Sequence, residues 1–566
     1  MRPKLVRGLC GLVLVLAWLP AGAAEDPHAK LLGEDAYPSA TACGSCHPRV
    51  FAEWASSNHA YASISPMFHK FEQRINDLTQ GTIGAFCVRC HQEVGTQRGE
   101  PRAQPLWERS PVAREGVTCI TCHRVNVAFA KVNGERSVVP GPVSAPVYNA
   151  TGSDNLDNVK ANPGEYGLAT HPIHDKVLPF AQLDKSEFCV SCHQVAVNLG
   201  IKLEVVWDQY RASPAAEHGT TCQDCHMGKV PGVAAGFGEG HIAMVNGRAI
   251  GDGKARHYDH AFFGPGYPIA HPGLFPFNPR SLEWGIDDWL KFDYRAGWGK
   301  PEWEDAHASG ARFPEPWTSR SARERARIVI DQNERALEYK KKGRIAVMEN
   351  GTRLDGPFFD SAPRAGSSLK FHYRISNLDH GHNFPSGSLG AQPEIWFDVA
   401  LVDPDGRNVW ESGYLDANGD MADQHSLEVR AGHIPFDDQL FNLQTKFLAT
   451  DVKGTDREMY LPVNFDVDQI PFLRPAGQPT TVLNHPPLVR MEGRSLPPGA
   501  SRDASYKVPS ELLAKPGRYK LLARLRSRAE PIYFMKFVGA TTEMEEAINA
   551  WMIDIHPYAA EFEVKS

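Results

Sequence analysis

Five times in the first half of this sequence, two cysteines stand three positions apart with a histidine directly after them. The sets are Cys43, Cys46 and His47; Cys87, Cys90 and His91; Cys119, Cys122 and His123; Cys189, Cys192 and His193; and Cys222, Cys225 and His226. Covalent attachment of a c-type haem asks for this arrangement: the thiols add to the two porphyrin vinyl groups and the imidazole takes one axial position on the iron. A zinc site pairs one CxxC with another and does not put a histidine on each. A disulfide framework has no use for a histidine after every second cysteine. The motifs consume ten of the eleven cysteines. Five covalently bound haem c groups are the expectation.

Each iron has a second axial position. Filled by another imidazole, the iron is saturated and suited to outer-sphere electron transfer; left open, it can bind substrate. Eighteen histidines lie outside the motifs, so supply is ample. The foremost distal candidates are His59, in the stretch after the first motif, and His260 in "HAFFG". His382 in "GHNFPSG" follows, then His174 and His171 in "THPIHDK". His241, His218, His257 and His69 stand in reserve. Met227 adjoins the proximal His226 and lies on the wrong side of that iron. Ligation by Met67 or Met244 would raise the potential, but no pattern favours it.

The elements that must position these groups fall into two halves. All five motifs lie between Cys43 and His226, about 37 residues for each. That is too little chain to bury each cofactor in its own apolar core, so the haems must pack on one another with the chain wrapped around them. Short helical pieces such as "PRVFAEWASS" and "KFEQRINDL" are read between loops. After Met227 the cysteines stop, and the Gly- and Pro-rich run from His257 to Pro279 reads as irregular. Ser321 to Gly343 has helical spacing, a basic end and a glycine stop.

Beyond it the apolar period becomes two. Leu369, Phe371, Tyr373 and Ile375 alternate, as do Ile395, Phe397, Val399 and Leu401 before a turn at Pro404 to Gly406, and Tyr519, Leu521, Ala523 and Leu525. Short strands with turn signals point to a β-sandwich. The fold class read from the chain is α+β: a haem-packed, mostly helical or irregular multihaem N-terminal half followed by a C-terminal β-sandwich. The expected divisions are 1–24 as signal peptide, 25–280 as pentahaem domain, 281–344 as connecting helical segment and 345–566 as β-sandwich.

The first residues carry basic side chains, then an apolar run from Leu9 to Leu19, then "AGA" at 21–23, the order of a secretory signal peptide. The run is shorter than the roughly 20 residues a membrane span needs. Periplasmic or extracellular localisation follows, with no transmembrane span after signal removal. The formal net charge is -7 and there is no basic stripe, which argues against nucleic acid. "DANGD", Asp416 to Asp420, alternates oxygen-bearing side chains, but Met421 stands where a calcium loop needs glycine, so a solvated hairpin turn is expected.

The pieces "CGSCHPRVFAEWASSNHA", "SEFCVSCHQV", "GTTCQDCHM", "HAFFG" and "GHNFPSG" together resemble multihaem c-type cytochromes, broadly of the cytochrome c-554 kind. The resemblance spans the haem half and reaches the first strands of the β half. It implies an exported electron-transfer protein with stacked bis-histidine haems. It further implies that the histidine of a W-x-x-S-x-H context, here Trp54, Ser57 and His59, serves a haem other than that of the motif before it. Five-haem nitrite reductases carry a lysine in their catalytic motif; all five motifs here end in histidine. Octahaem hydroxylamine-type enzymes have more motifs than this chain.

The expected function is single-electron relay between redox protein partners, with no catalytic residue assigned. Two alternatives stand beside it. One is a multihaem oxidoreductase whose open haem acts on a small nitrogen or sulfur species. The other is a homo-oligomer, an extracellular cytochrome filament in which a histidine such as His28 ligates a neighbour's haem.

Overall fold

A computed structural model describes residues 36–566, apart from 79, 82, 103, 130–133, 135, 154, 167–172, 197–201, 267–268, 276–277, 388–392, 445, 450–458, 461–488 and 493. The expected signal segment, Cys10, His28 and the ligand candidate His171 lie outside the described residues.

The cysteine-bearing half is built from single helical turns. The second to fifth motifs form the helices Val88–His91, Cys119–His123, Val190–His193 and Cys222–His226. The first motif begins in Ala40–Gly44 and ends at His47, which leads into Pro48–Ala55. The backbone N–H of His47, His91 and His193 donates to the carbonyl of the first cysteine of its motif at 3.0, 3.2 and 3.0 Å. One turn leaves most of its N–H groups without a helical partner, so local caps decide whether it forms. Thr221 and Asp224 make a capping box on the fifth motif. Pro48 opens its helix where its missing N–H costs nothing. Ser57 caps the turn Asn58–Tyr61 that carries His59.

One buried carboxylate joins two motifs. Glu115 accepts from the Ala40 N–H at 2.8 Å, from the Ser39 hydroxyl and from the Thr118 hydroxyl at 3.1 Å. It thereby caps the first motif's helix and grips the residue before Cys119.

The helix read as ending at Gly343 runs from Arg320 to Gly351, with Ser319 as its cap. Gly343 is no stop. A Cβ there would come within 2.0 Å of the Phe263 ring, so glycine permits close approach of the helix to the irregular segment. Ala322, Ala326, Val329, Ile330 and Leu337 face a cluster with Trp284, Trp289, Trp298 and Trp317, joined by Tyr61 and Ile64 from the motif half. A second shared cluster sets Met67 and Ile75 against Ile532, Phe534 and Met535. The two halves are therefore packed into each other.

The strands form two main antiparallel sheets. With β1 Thr352–Phe359, β2 Leu369–Asn377, β3 Glu394–Val402, β4 Asn408–Ser412, β5 Ser501–Val508, β6 Gly517–Arg528 and β7 Ile553–Val564, the orders are β5-β2-β1 and β4-β3-β6-β7. Phe371 pairs with Tyr506, and Phe397 with Leu525. Both sheets send apolar residues into one core, including Phe371, Tyr373, Phe397, Val399, Tyr506, Leu521 and Leu525. Strands β2 and β6 show the expected alternation of burial. Strand β3 does not: it is buried on both faces from Glu394 to Val399. Its outward polar groups are covered by arginines of β6, with Glu394 bound to Arg528 and Asp398 to Arg524 and Arg526.

"DANGD" is a turn, but not a solvated one. Asp416 and Asp420 are buried. Asp416 accepts from the N–H groups of Asn418 and Asp420 at 2.8 and 2.9 Å and from the Ser426 hydroxyl at 2.7 Å. Lys536 approaches Asp420 at 3.3 Å. The carboxylate oxygens serve the turn itself because the following segment and the β6–β7 connection close over it. Among the described residues, no helix is long and apolar enough to cross a membrane.

Candidate haem sites

Four motif histidines face a second histidine. Ring centroids are 6.4 Å apart for His47 and His174, 6.4 Å for His123 and His260, 6.2 Å for His193 and His59, and 6.1 Å for His226 and His382. The ring planes meet at 13°, 29°, 47° and 15° in the same order. An imidazole nitrogen binds a transition metal at roughly 2 Å, and the ring centroid lies about 1 Å behind it, so two imidazoles sharing one ion have centroids roughly 6 Å apart. The four spacings match that distance. Each pair could hold one iron between its rings.

The other ring nitrogens are already used. Nδ1 of His47 donates to the Ile242 carbonyl at 3.0 Å, His91 to Ala62 at 3.0 Å, His123 to Tyr148 at 2.8 Å and His226 to Phe263 at 2.9 Å. Among the facing histidines, Nδ1 of His174 donates to Val143 at 2.9 Å, His260 to Tyr258 at 2.7 Å and His382 to Asn383 at 3.0 Å. Anchoring Nδ1 to a carbonyl fixes the tautomer and leaves the Nε2 lone pair for a metal. Burial holds His59 down to about 3 and His174 and His260 down to about 4. These rings are therefore neutral at pH 7, the form that ligates. At His193 burial works in the same direction, but the Glu204 carboxylate together with Cys192 and Cys222 outweighs it and raises the ring to about 9.

The facing histidines are delivered by different elements. His59 sits in a capped turn just after the first motif and meets the fourth. His260 lies in the irregular segment, where Glu53 accepts its backbone N–H at 3.2 Å. His382 comes from the loop after β2. Gln209, from the helix Val206–Arg211, accepts from the Asn383 N–H at 3.2 Å and the Ser386 hydroxyl at 2.7 Å, and the Ala215 N–H donates to the His380 carbonyl at 3.0 Å. That loop is thus latched to the motif half.

His91 differs. Its recorded ring contact is Phe68, flat against it at 4.0 Å and 5°. Among the described residues, no histidine ring is recorded facing it at the spacing of the other four. Nearby His69 spends Nε2 on the Ser63 carbonyl at 2.7 Å. The remaining reserves are also engaged elsewhere or exposed. His257 donates Nε2 to Glu53 at 2.8 Å, and His241 and His218 are exposed. Met67 belongs to the apolar cluster with Met535.

No disulfide joins any of the ten motif cysteines. Cysteines of different motifs are electrostatic neighbours: Cys43 of Cys119, Cys90 of Cys192, and Cys189 of Cys222. Cys122 lies close enough to Cys189 and Cys192 for their charges to interact. The first motif therefore meets the third, the third meets the fourth, and the fourth meets both the second and the fifth. Near that junction, the guanidinium of Arg136 binds both oxygens of Glu93, with side chains 4% and 1% exposed.

Sequence reasoning missed Glu53, Glu115, Glu204 and Gln209, which place the histidines without ligating anything. Glu53 had one visible signal: a carboxylate beside Trp54 on the apolar face of a short helix.

Residues 42–124 match the family model described as cytochrome c554 and c-prime. That match supports a multihaem c-type cytochrome, a class that implies covalently bound haem c, electron transfer and redox partners. No curated protein matches the chain. Among solved structures, a penta-heme cytochrome c552 from Thermochromatium tepidum aligns at 16% identity over 93% of this chain and 99% of its own, with a TM-score of 0.48. An alkylpurine DNA glycosylase from Pseudomonas fluorescens, bound to DNA containing an abasic site analog, aligns at 13% identity over 47% and 44% with a TM-score of 0.14. Neither structural likeness is strong enough to carry an argument.

Proposed function

We propose that the chain is an exported pentahaem c-type cytochrome that relays single electrons between redox proteins. The observation that carries the reading is the set of four histidine pairs at 6.1–6.4 Å. The five cysteine pairs would hold the porphyrins, and His47, His91, His123, His193 and His226 would be proximal ligands. His174, His59, His260 and His382 would be the distal ligands opposite His47, His193, His123 and His226. When bound, haem c supplies a one-electron Fe(III)/Fe(II) couple. The chain's part is to aim each imidazole and to bring the motifs close to one another. The neighbouring cysteines make the fourth motif a junction, with the third leading to the first on one side and the second and fifth on the others. The two sheets, read as a β-sandwich, supply His382 and brace the fifth motif.

The test is intact mass together with low-temperature EPR of the oxidised protein, integrated against total haem. Five haems with at least four low-spin irons are expected. Fewer than four covalent haems, or a high-spin majority, would overturn the reading.

One observation favours an enzyme as a second reading: His91 is met by Phe68 where the other motif histidines are met by histidine. An open iron at the second motif would reduce or oxidise a small nitrogen or sulfur species. About one high-spin iron in five, with turnover of nitrite, hydroxylamine or sulfite, would support it; absence of both would remove it.

A further inference from the structure

Four of the five motif histidines donate Nδ1–H to a neutral backbone carbonyl. The fifth does not. Nδ1 of His193 meets a carboxylate oxygen of Glu204 at 3.4 Å. The chain arranges this locally. The helix Val190–His193 runs directly into the strand Val195–Ala196, whose antiparallel partner is Lys202–Glu204, with Val195 opposite Glu204. The amide of Gln194 donates to Asp208 at 2.8 Å and pins the chain between motif and hairpin. The pairing of Val195 with Glu204 thus brings Glu204 next to His193.

We infer that Glu204 is a positioning residue that lowers the potential of the fourth motif's iron through its motif histidine; at the fifth motif the comparable carboxylate, Asp379, stands 3.4 Å from Nδ1 of the facing His382 instead. This rests on the proposed reading of His193 as a proximal ligand. A carboxylate on Nδ1–H draws the proton toward itself and makes the imidazole a stronger electron donor than a carbonyl does. Negative charge on the ligand favours the more positive, oxidised iron, so the potential falls. Two cations act on the facing His59, Lys340 and Arg136; Arg136 is bound through two contacts to Glu93, and Lys340 donates to the Ala261 carbonyl at 2.9 Å. The placement matters because the fourth motif neighbours the second and fifth through Cys192 and Cys189 and lies near the third. An iron of lowered potential at a junction is a divider: electrons leave it readily toward any branch and accumulate on the branches.

The test is a redox titration of the purified holoprotein with dithionite and mediators, followed by optical and EPR spectroscopy, in the parent chain and in Glu204→Gln. The amide keeps an acceptor oxygen at nearly the same place and removes the charge. Five haems by mass, an unchanged number of low-spin irons and one midpoint raised well above its parent value are expected. A smaller rise in the midpoint of the second motif is also expected, because His91 lies in the field of the same carboxylate. One low-spin EPR species should change its g values. Five unmoved midpoints in a protein with five haems, or an equal drift of all five, would overturn the inference. Loss of haems from the parent chain would instead defeat the relay reading, so the two failures are distinguishable. Should Glu204→Gln not mature with five haems, Glu204→Asp keeps the charge at a longer reach. A smaller rise of the same midpoint is then expected, and parent values throughout would sink the idea.

Discussion

The rings of His226 and His382 face each other at 6.1 Å with their planes 15° apart, one from the last cysteine motif and the other from a loop of the sheet half. Nδ1 of each is held by a backbone carbonyl, Phe263 for His226 and Asn383 for His382. His382→Ala should therefore leave five covalent haems, since attachment at this site belongs to Cys222 and Cys225. It should convert one further iron in five to high spin. Intact mass and EPR integration check this; an unchanged spin count would show that His382 is not a ligand.

Gly343→Ala should disturb the same site from behind. The new methyl meets the Phe263 ring, whose carbonyl holds His226. Overpacking of this kind costs about 1–3 kcal/mol. Gly351→Ala, at the end of the same helix with nothing within 4 Å, should change stability by less than about 1 kcal/mol. Urea denaturation of the two variants separates a packing effect from a helix-propensity effect.

Arg136→Met should destabilise the motif half by about 3–5 kcal/mol, because it strands the Glu93 carboxylate in a site where it is 1% exposed. Adding Glu93→Leu should recover much of the loss. A double-mutant cycle by chemical denaturation measures the coupling; additive losses would show that the pair is not interacting.

Acid should weaken the tryptophan cluster around His271. This ring is 3% exposed, donates Nε2–H to the Phe292 carbonyl at 2.9 Å and accepts from the Gly273 N–H at 2.9 Å. Burial lowers it to about 4. The unfolded chain binds this proton from about pH 6.5 downward and the folded chain only near pH 4, so stability is full above 6.5 and falls as pH drops through that window. Complete loss amounts to about 3 kcal/mol. Denaturation midpoints between pH 4 and 7 should show a shallower decline in His271→Gln than in the parent.

The fold was legible where the cause is local. Alternation at Leu369 to Ile375 and Tyr519 to Leu525 predicted strands that are present, because one buried face imposes a period of two. The strand read at Ile395 to Leu401 is also present, though arginines of β6 bury its outer face as well; the glycine stop at Gly343 failed, because the reason for glycine there is the Phe263 ring, distant in sequence. The turn at Asp416 was recognised, but its burial depends on chain far downstream, at Arg528 and Lys536.

The sequence by itself determined the chemistry of attachment. Two thiols and an imidazole must share one helical turn to serve one porphyrin, so Cys43 to His47 and its four counterparts can be read from spacing alone. His59, His174, His260 and His382 were nameable as candidates from their settings. Only the tertiary structure decided which ring each one faces, that His257 belongs to Glu53 instead, that His91 meets Phe68, and that His193 is the motif histidine whose Nδ1 meets a carboxylate. The reason is physical. A covalent tether acts within five residues, whereas a second axial position is filled by whatever the packing of distant segments brings to about 6 Å.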